Sequence, residues 1–205
     1  MNQLIRELIS SGYLKTPAII EAFQKINRLD FVAEETKEEA YINAPLPIGH
    51  GQTISQPLTV AFMLELLQPE PGNKILDVGS GSGWQTAILS HIVGEEGKIF
   101  AVELIPELEE FGRKNVSKYN FVQKKIANFY CLNAVNGLTE EAPFDRIISA
   151  ASAQEIPLAW KEQLKIKGRM VVPIRDTVHL LIKKNENEFE EELYPGFAFV
   201  PFVDK

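Results

Sequence analysis

The feature that most constrains this fold is a glycine-rich turn between an apolar strand and a helix. Residues 74–79, Lys-Ile-Leu-Asp-Val-Gly, are typical of a short buried strand, and the segment from Gly83 to His91 has a helical pattern. The turn between them, Gly79-Ser-Gly-Ser-Gly83, lets the backbone bend tightly and approach a ligand, and the helix that follows offers free N–H groups. We therefore expect a ligand to bind against this turn.

Strands and helices alternate along the rest of the chain. Further helices are predicted at 106–119 and 157–164, and further strands at 98–103, 126–131, 144–149, 169–174 and 178–183. The first thirty residues also have helical spacing, and a Pro- and Gly-rich loop at 43–57 leads into a helix from about residue 56 to 67. The pattern predicts an α/β, Rossmann-like fold: a mostly parallel central sheet with helices on both faces and an added N-terminal helical segment.

The length of 205 residues favours a single domain, 1–205. Within it we expect N-terminal helices and a ligand loop at 1–68, a nucleoside-binding α/β core at 69–184 and C-terminal strands at 185–205. The acidic stretch 183–192 is interpreted as a solvated turn between antiparallel strands, because an apolar run resumes at 197–203.

Composition excludes several classes of function. The net charge of −7, with no long Lys/Arg block, argues against nucleic acid as a partner. The single cysteine, Cys131, cannot form an internal disulfide and is expected to be a buried strand thiol. No apolar run has the length of a signal peptide or a membrane span. We expect a cytoplasmic monomer without a membrane partner.

Two further residues suggest which ligand the turn binds. Its glycine spacing differs from the Gly-x-Gly-x-x-Gly of dinucleotide binders, and it lacks the Gly-Lys-Ser/Thr ending of a P-loop. Glu103, at the end of the next strand, can accept hydrogen bonds from both ribose hydroxyls. Asn133, just after the strand that follows, can accept from an exocyclic amine such as that of adenine. Together these residues predict S-adenosylmethionine as the cofactor.

The loop before the turn carries a resemblance to a known family. Residues 44–57, Ala-Pro-Leu-Pro-Ile-Gly-His-Gly-Gln-Thr-Ile-Ser-Gln-Pro, closely resemble the PLPIGxGQTISQP signature of the protein-L-isoaspartate (D-aspartate) O-methyltransferases. The likeness continues over nearly the whole chain, through 27–32, 76–85, 142–148, 155–157, 163–164, 168–173 and 199–202.

The resemblance implies an S-adenosylmethionine-dependent methyltransferase that acts on the α-carboxylate of L-isoaspartyl residues in damaged proteins or peptides. The methyl ester then closes to a succinimide, from which a normal aspartyl bond can reform. By position, Ser55 is the expected catalytic residue, and the substrate-binding residues are Gln52, Thr53, Ile54 and Ser55. The expected cofactor-binding residues are Thr53, Ile54, Ser55, Asp77, Gly79, Ser80, Gly81, Glu103, Leu104, Asn133 and Ala134.

Methyl transfer to a carboxylate needs no general base, because an acid with a reference pKa of about 4 is already ionised at neutral pH. The protein is expected to contribute positioning and exclusion of water. The three histidines form no cluster in the sequence, and no metal site is expected. The substrate carboxylate needs local donors, for which we name the hydroxyls of Thr53 and Ser55 and the free N–H groups at the start of the following helix.

Several alternatives stay open. Ser55 could instead be a simple helix cap. Residues 132–134, Leu-Asn-Ala, replace the Gly-Asp-Gly usual in the family, which predicts weaker cofactor binding and keeps open a related enzyme that methylates a different acid. A non-catalytic S-adenosylmethionine-binding module is a third possibility, and a nicotinamide-dependent oxidoreductase is disfavoured by the glycine spacing.

Overall fold

A computed structural model describes residues 2–202 of the chain. Its α-helices are α1 (Gln3–Ser10), α2 (Pro17–Lys25), α3 (Pro57–Leu67), α4 (Trp84–Val93), α5 (Pro106–Ser117) and α6 (Leu158–Gln163). Its strands are β1 (Leu46–Gly49), β2 (Gln52–Ile54), β3 (Lys74–Val78), β4 (Lys98–Glu103), β5 (Ala127–Cys131), β6 (Phe144–Ser149), β7 (Leu164–Ile174), β8 (Thr177–Lys183) and β9 (Phe189–Pro195). Short 3-10 helices lie at Arg28–Phe31, Glu34–Glu39, Ala134–Asn136 and Thr139–Glu141.

Seven strands form one sheet in the order β5-β4-β3-β6-β7-β8-β9. Neighbouring strands from β5 to β7 are parallel, whereas β8 and β9 are antiparallel. The chain runs outward from β3 through β4 and β5 and then returns to the other side of β3 as β6. A reversal of this kind opens a crevice at the carboxyl ends of the strands, where α/β sheets bind ligands. The predicted α/β, Rossmann-like fold is confirmed.

The two elements that flank the glycine turn, β3 and α4, are buried because each is covered on both sides. Ile75, Leu76 and Val78 of β3 are all 1% exposed or less, as expected for a parallel strand with helices on both faces. Every residue of α4 except His91 is buried, because α4 packs against α2, α5 and β4. The glycine turn between β3 and α4 is thus fixed by two rigid elements.

The hydrophobic core joins the N-terminal helices to the sheet. Leu8 of α1 and Ile19 of α2 belong to the same buried cluster as Ile88 of α4 and Ile99 of β4. The N-terminal segment therefore packs on the α/β core. It leads into the 43–57 region, where β1 and β2 form an antiparallel hairpin that sequence patterns predicted only as an ordered loop.

The predicted C-terminal strands are partly wrong. The outer antiparallel partner of β8 is Phe189–Pro195, whose first four residues lie within the acidic stretch, and the turn is confined to 184–188. Charged residues are tolerated because β9 is an edge strand and is mostly exposed. The apolar run after it is irregular up to residue 202, with one parallel bridge between Pro201 and Ser152, and its last residue lies outside the described part of the chain.

Two smaller expectations also fail. Strand β7 begins at Leu164, five residues before the predicted start, and continues directly from α6. Cys131 is exposed and not buried, because it is the last residue of β5 at the edge of the sheet. Among residues 2–202, no helix is long and apolar enough to cross a membrane.

Candidate active site

A cavity of about 870 Å³ lies at the carboxyl ends of the parallel strands and extends under the β1–β2 hairpin. Cavities of this size accommodate small-molecule ligands and cofactors. The residues predicted from sequence converge on it from four separate segments of the chain. Those that line it are Gln52, Thr53, Ile54, Ser55, Gly79, Ser80, Gly81, Glu103, Leu104, Asn133 and Ala134.

The glycine turn forms the floor of the cavity. Its three glycines have φ values of 75°, 49° and 83°, in the left-handed region that favours glycine. The Gly79 N–H donates to Val102 O at 2.8 Å, which ties the turn to β4. A Cβ at Gly81 would lie 3.3 Å from Ile48 Cδ1, so the β1–β2 hairpin sits directly over the turn.

Glu103 connects the turn to the cavity wall. Its buried carboxylate accepts three backbone hydrogen bonds: from Gly81 N at 2.9 Å, Leu104 N at 2.8 Å and Ile105 N at 3.1 Å. These bonds fix its orientation, and a carboxylate has further lone pairs that can accept from ligand hydroxyls. The position is the one predicted for a ribose-binding acid.

Asp77 lies behind the cavity wall and does not line the cavity. It is fully buried, and it accepts hydrogen bonds from Gln85 Nε2 at 2.8 Å and Thr86 Oγ1 at 2.6 Å. Burial raises the pKa of Asp77 to about 6, although these two hydrogen bonds lower it. The contacts tie β3 to the first turn of α4, so Asp77 supports the glycine turn from below.

Asn133 and Ala134 form another part of the wall. The Asn133 Oδ1 accepts from Val135 N at 2.9 Å and caps a 3-10 turn, so the oxygen expected to meet an adenine amine already has a backbone partner. The carbonyl of Ala134 accepts from the indole of Trp160 at 2.7 Å. The altered 132–134 stretch is therefore firmly anchored beside the cavity.

Ser55 follows the second strand of the hairpin, and its side chain makes no hydrogen bond within residues 2–202. The alternative cap role is wrong: the N-cap of α3 is Gln56, and the Leu58 N–H donates instead to Asn43 Oδ1 at 3.0 Å. That contact also removes one of the helix N–H groups expected to face the substrate. The hydroxyls of Thr53 and Ser55, both on cavity-lining residues, remain as candidate donors.

An aromatic cluster on one side of the cavity was not predicted. Phe62 stacks on Phe197 at 5.0 Å between ring centroids and meets Tyr194 edge-on at 5.2 Å, and all three residues line the cavity. The rings come from α3, β9 and the C-terminal segment. Each ring is half-buried, and no sequence signal shows that the three meet.

Two buried polar atoms in the lining residues, Ser80 Oγ and Trp84 Nε1, lack a hydrogen-bond partner within residues 2–202. Buried polar groups are normally paired, so two unpaired atoms in cavity-lining residues are unusual. No group of three or more His, Cys, Asp or Glu side chains in the same part of the chain is arranged to hold a metal ion.

A family model described as "Protein-L-isoaspartate(D-aspartate) O-methyltransferase (PCMT)" matches residues 1–205. The chain belongs to this family. It is 40% identical over 205 residues to the protein-L-isoaspartate O-methyltransferase of Methanopyrus kandleri, with 98% of this chain and 90% of the relative covered. The identity to the corresponding enzyme of Aeropyrum pernix is 43% over 205 residues, with 98% and 78% covered.

The fold is also that of a solved structure. A Plasmodium falciparum protein, crystallised in complex with S-adenosyl-L-homocysteine, superposes with a TM-score of 0.89 at 23% identity, covering 98% of this chain and 97% of that one. This chain is thus an S-adenosylmethionine-dependent methyltransferase of the protein-L-isoaspartate O-methyltransferase family. The roles of its individual site residues stay predictions.

Proposed function

We propose that the chain carries out the reaction of its family at this cavity. It transfers the methyl group of S-adenosylmethionine to the α-carboxylate of L-isoaspartyl residues in damaged proteins or peptides, and so begins their repair through a succinimide. The observation that carries the proposal is the meeting of the Gln52–Ser55 segment with the glycine turn and Glu103 around one cavity.

Cofactor binding is assigned to the floor and wall of the cavity. Glu103 accepts from the ribose hydroxyls, Gly79 and Gly81 allow close approach of the ligand, and Ser80 lies between them in the lining. Asn133, Ala134 and Leu104 complete the wall, and Asp77 acts through the turn that it supports. When bound, S-adenosylmethionine supplies the methyl group that is transferred.

Substrate binding is assigned to the hairpin strand and the residue after it. The Thr53 and Ser55 hydroxyls donate hydrogen bonds that hold one oxygen of the isoaspartyl carboxylate and leave the other free to react. The carboxylate is ionised at neutral pH, so the chain has no proton to remove. Its contribution is to orient the carboxylate and exclude water, and a fixed orientation of this kind can supply much of a rate enhancement.

The experiment that tests this function compares two peptides that differ only in one linkage. The purified chain is incubated with S-adenosylmethionine and either an L-isoaspartyl peptide or its normal aspartyl isomer, and mass spectrometry follows an added methyl group. We expect methylation of the isoaspartyl peptide alone. Binding of S-adenosylmethionine without methylation of either peptide would favour a non-catalytic module or an enzyme for another acid, and binding of NAD in calorimetry would favour an oxidoreductase.

We also propose that residues 1–205 form a single domain and that the chain acts as a cytoplasmic monomer without nucleic-acid or membrane partners. The support is compositional: one cysteine, a net charge of −7 and no long basic block. Size-exclusion chromatography with light scattering tests the oligomeric state, for which we expect the mass of one chain, 23.0 kDa.

A further inference from the structure

We propose that Arg28 is a positioning residue, whose guanidinium clamps the two ends of the β1–β2 hairpin and thereby fixes Ser55 over the glycine turn. The inference rests on the proposed function, because it assigns Arg28 a role through Ser55. Arg28 belongs to one of the segments that resemble the family, but nothing in the sequence pattern assigned it a function.

The contacts of Arg28 surround the root of the hairpin. Its Nη2 donates to Ala44 O at 2.9 Å and to Ser55 O at 3.1 Å. These carbonyls lie on either side of the hairpin, since β1 begins two residues after Ala44 and β2 ends one residue before Ser55. Its Nη1 donates to Ala40 O at 2.8 Å and Ile42 O at 3.3 Å, in the segment that approaches the root. One side chain therefore holds both ends of the loop that covers the cavity.

The charge of Arg28 is buried without a carboxylate partner. The residue is 3% exposed, and within residues 2–202 no acidic side chain lies within ion-pair distance of it. Burial lowers its pKa to about 10, so it stays protonated at neutral pH. A buried charge of this kind is costly unless it is satisfied by hydrogen bonds, and here carbonyl oxygens satisfy both terminal nitrogens, whereas Nε has no partner within residues 2–202. Such a contact set is specific, because lysine lacks the planar fork that reaches four carbonyls at once.

Arg28 also connects the hairpin to the cofactor side of the cavity. Its guanidinium carbon lies 5.2 Å from the ring centroid of Trp84, within the range of a cation–π contact. Trp84 is the first residue of α4 and directly follows the glycine turn. The clamp thus fixes the position of the substrate-side loop relative to the glycine turn. An in-line methyl transfer requires a fixed position, because the carboxylate and the methyl group must be aligned.

A double-mutant cycle tests the clamp. Arg28→Lys, Ser55→Ala and the double variant are assayed for kcat and KM with an isoaspartyl peptide, at a temperature below the melting range of all variants. Displacement of a reacting group by about 1 Å can cost about 100-fold in rate, so we expect kcat of Arg28→Lys to fall by about 100-fold. If Arg28 acts through Ser55, the double variant is no slower than Ser55→Ala alone.

Arg146→Lys is the matched control. Arg146 is also a buried arginine that donates to backbone carbonyls, Leu67 O and Gln68 O at 2.9 Å, but at the far end of α3 and outside the cavity lining. We expect it to lower the melting temperature and leave kcat within about threefold of wild type. The proposal would be overturned if kcat fell no more in Arg28→Lys than in Arg146→Lys. It would also be overturned if the double variant lost the product of the two single losses of Arg28→Lys and Ser55→Ala.

Asn43→Ala keeps the test decisive if Arg28→Lys does not fold. Asn43 is exposed and ties the same root to α3, accepting from Leu58 N through its side chain and from Gln56 Nε2 through its carbonyl. We expect a fall in kcat of about tenfold that disappears in the Ser55→Ala background. An unchanged kcat would show that the position of the hairpin root does not control the rate, and this would count against the clamp. If Ser55→Ala itself leaves kcat unchanged, the proposed catalytic role of Ser55 fails. That result is read from the single variant Ser55→Ala and is therefore distinguishable from a loss of kcat in Arg28→Lys.

Discussion

At the scale of single residues, the site is built from side chains that are held by backbone groups. Glu103 is fixed by three N–H groups and Arg28 holds carbonyl oxygens, whereas Ser55 makes no side-chain hydrogen bond within residues 2–202. A hydroxyl left free beside a cavity is available to a substrate, and its removal leaves no partner unsatisfied. Glu103 and Arg28 therefore hold the site together, whereas the Ser55 hydroxyl is free to bind a substrate.

Ser55→Ala should lower kcat with little effect on folding. The variant loses one donor to the substrate carboxylate, a kind of loss that costs about 100-fold in kcat when the donor acts in the transition state. The free energy of unfolding should change by less than about 0.5 kcal/mol, because no internal hydrogen bond is lost. Methyl-transfer rates and thermal melting check the two parts, with Ser117→Ala as the control, since that hydroxyl donates within α5 to Arg113 O. Unchanged turnover would show that Ser55 is not catalytic.

Asp77 should make stability fall as pH rises through the weakly acidic range. Its pKa is about 6 in the folded chain against an ordinary value of 3.8, so between these values the folded state binds more protons than the unfolded state. The free energy of unfolding therefore decreases from about pH 4 to about pH 6, by up to roughly 3 kcal/mol. Urea unfolding of wild type and Asp77→Asn at several pH values isolates this contribution, because asparagine does not titrate. Parallel pH profiles for the two proteins would contradict the assignment.

At the scale of elements, the glycine turn is both a ligand surface and a packing device. Gly83 has a φ of 83°, and a Cβ there would lie 2.8 Å from Gly112 O and 2.8 Å from Val116 Cγ2 of α5. The third glycine thus brings α4 and α5 together, while the first two face the cavity. The spacing of the turn reflects helix packing as well as the shape of its ligand.

Gly83→Ala should destabilise the fold by about 3 kcal/mol, through a strained φ combined with the clash against α5. Gly72→Ala is the control, since Gly72 has a similar φ of 79° but a Cβ added there would meet nothing within 4 Å. It should cost about 1 kcal/mol from backbone strain alone. Urea unfolding compares the two variants. Equal losses would mean that the contact between α4 and α5 relaxes freely.

At the scale of the whole molecule, the N-terminal helices and the sheet share one buried cluster, which includes the cavity-lining residues Ile48, Ile54 and Trp84. Leu8 and Ile19 pack with residues of α4 and β4, and the hairpin that follows these helices lies over the glycine turn. Ligand binding at this cavity should therefore stabilise both parts together.

Calorimetry should show one unfolding transition that S-adenosylhomocysteine shifts upward as a whole. A ligand present at about 100 times its Kd adds about 3 kcal/mol, which corresponds to about 5 to 10 °C for a chain of this size. Adenosine diphosphate, which has a nucleoside and a phosphate chain, is the control and should shift the transition little. Two transitions, with only one moved by the ligand, would contradict the single domain proposed for 1–205.

The sequence by itself determined what depends on neighbouring residues. The alternation of apolar strands and helices predicted the parallel sheet, and the positions of Glu103 and Asn133 at strand ends predicted the cavity wall. Both predictions are correct because the carboxyl ends of parallel strands must meet at one edge of the sheet. The resemblance in 44–57 supplied the family, which the match over the whole chain confirms.

Only the tertiary structure decided what depends on residues far apart in the chain. Asn43 accepts the helix N–H that Ser55 was considered to cap. Asp77 lies behind the cavity wall because α4 covers it. The acidic segment of β9 is a strand because its backbone pairs with β8. The clamp of Arg28 spans 27 residues to Ser55. Local patterns report burial and backbone preference, but the partner of a buried polar group is set by which segments pack together, and that is a property of the folded chain.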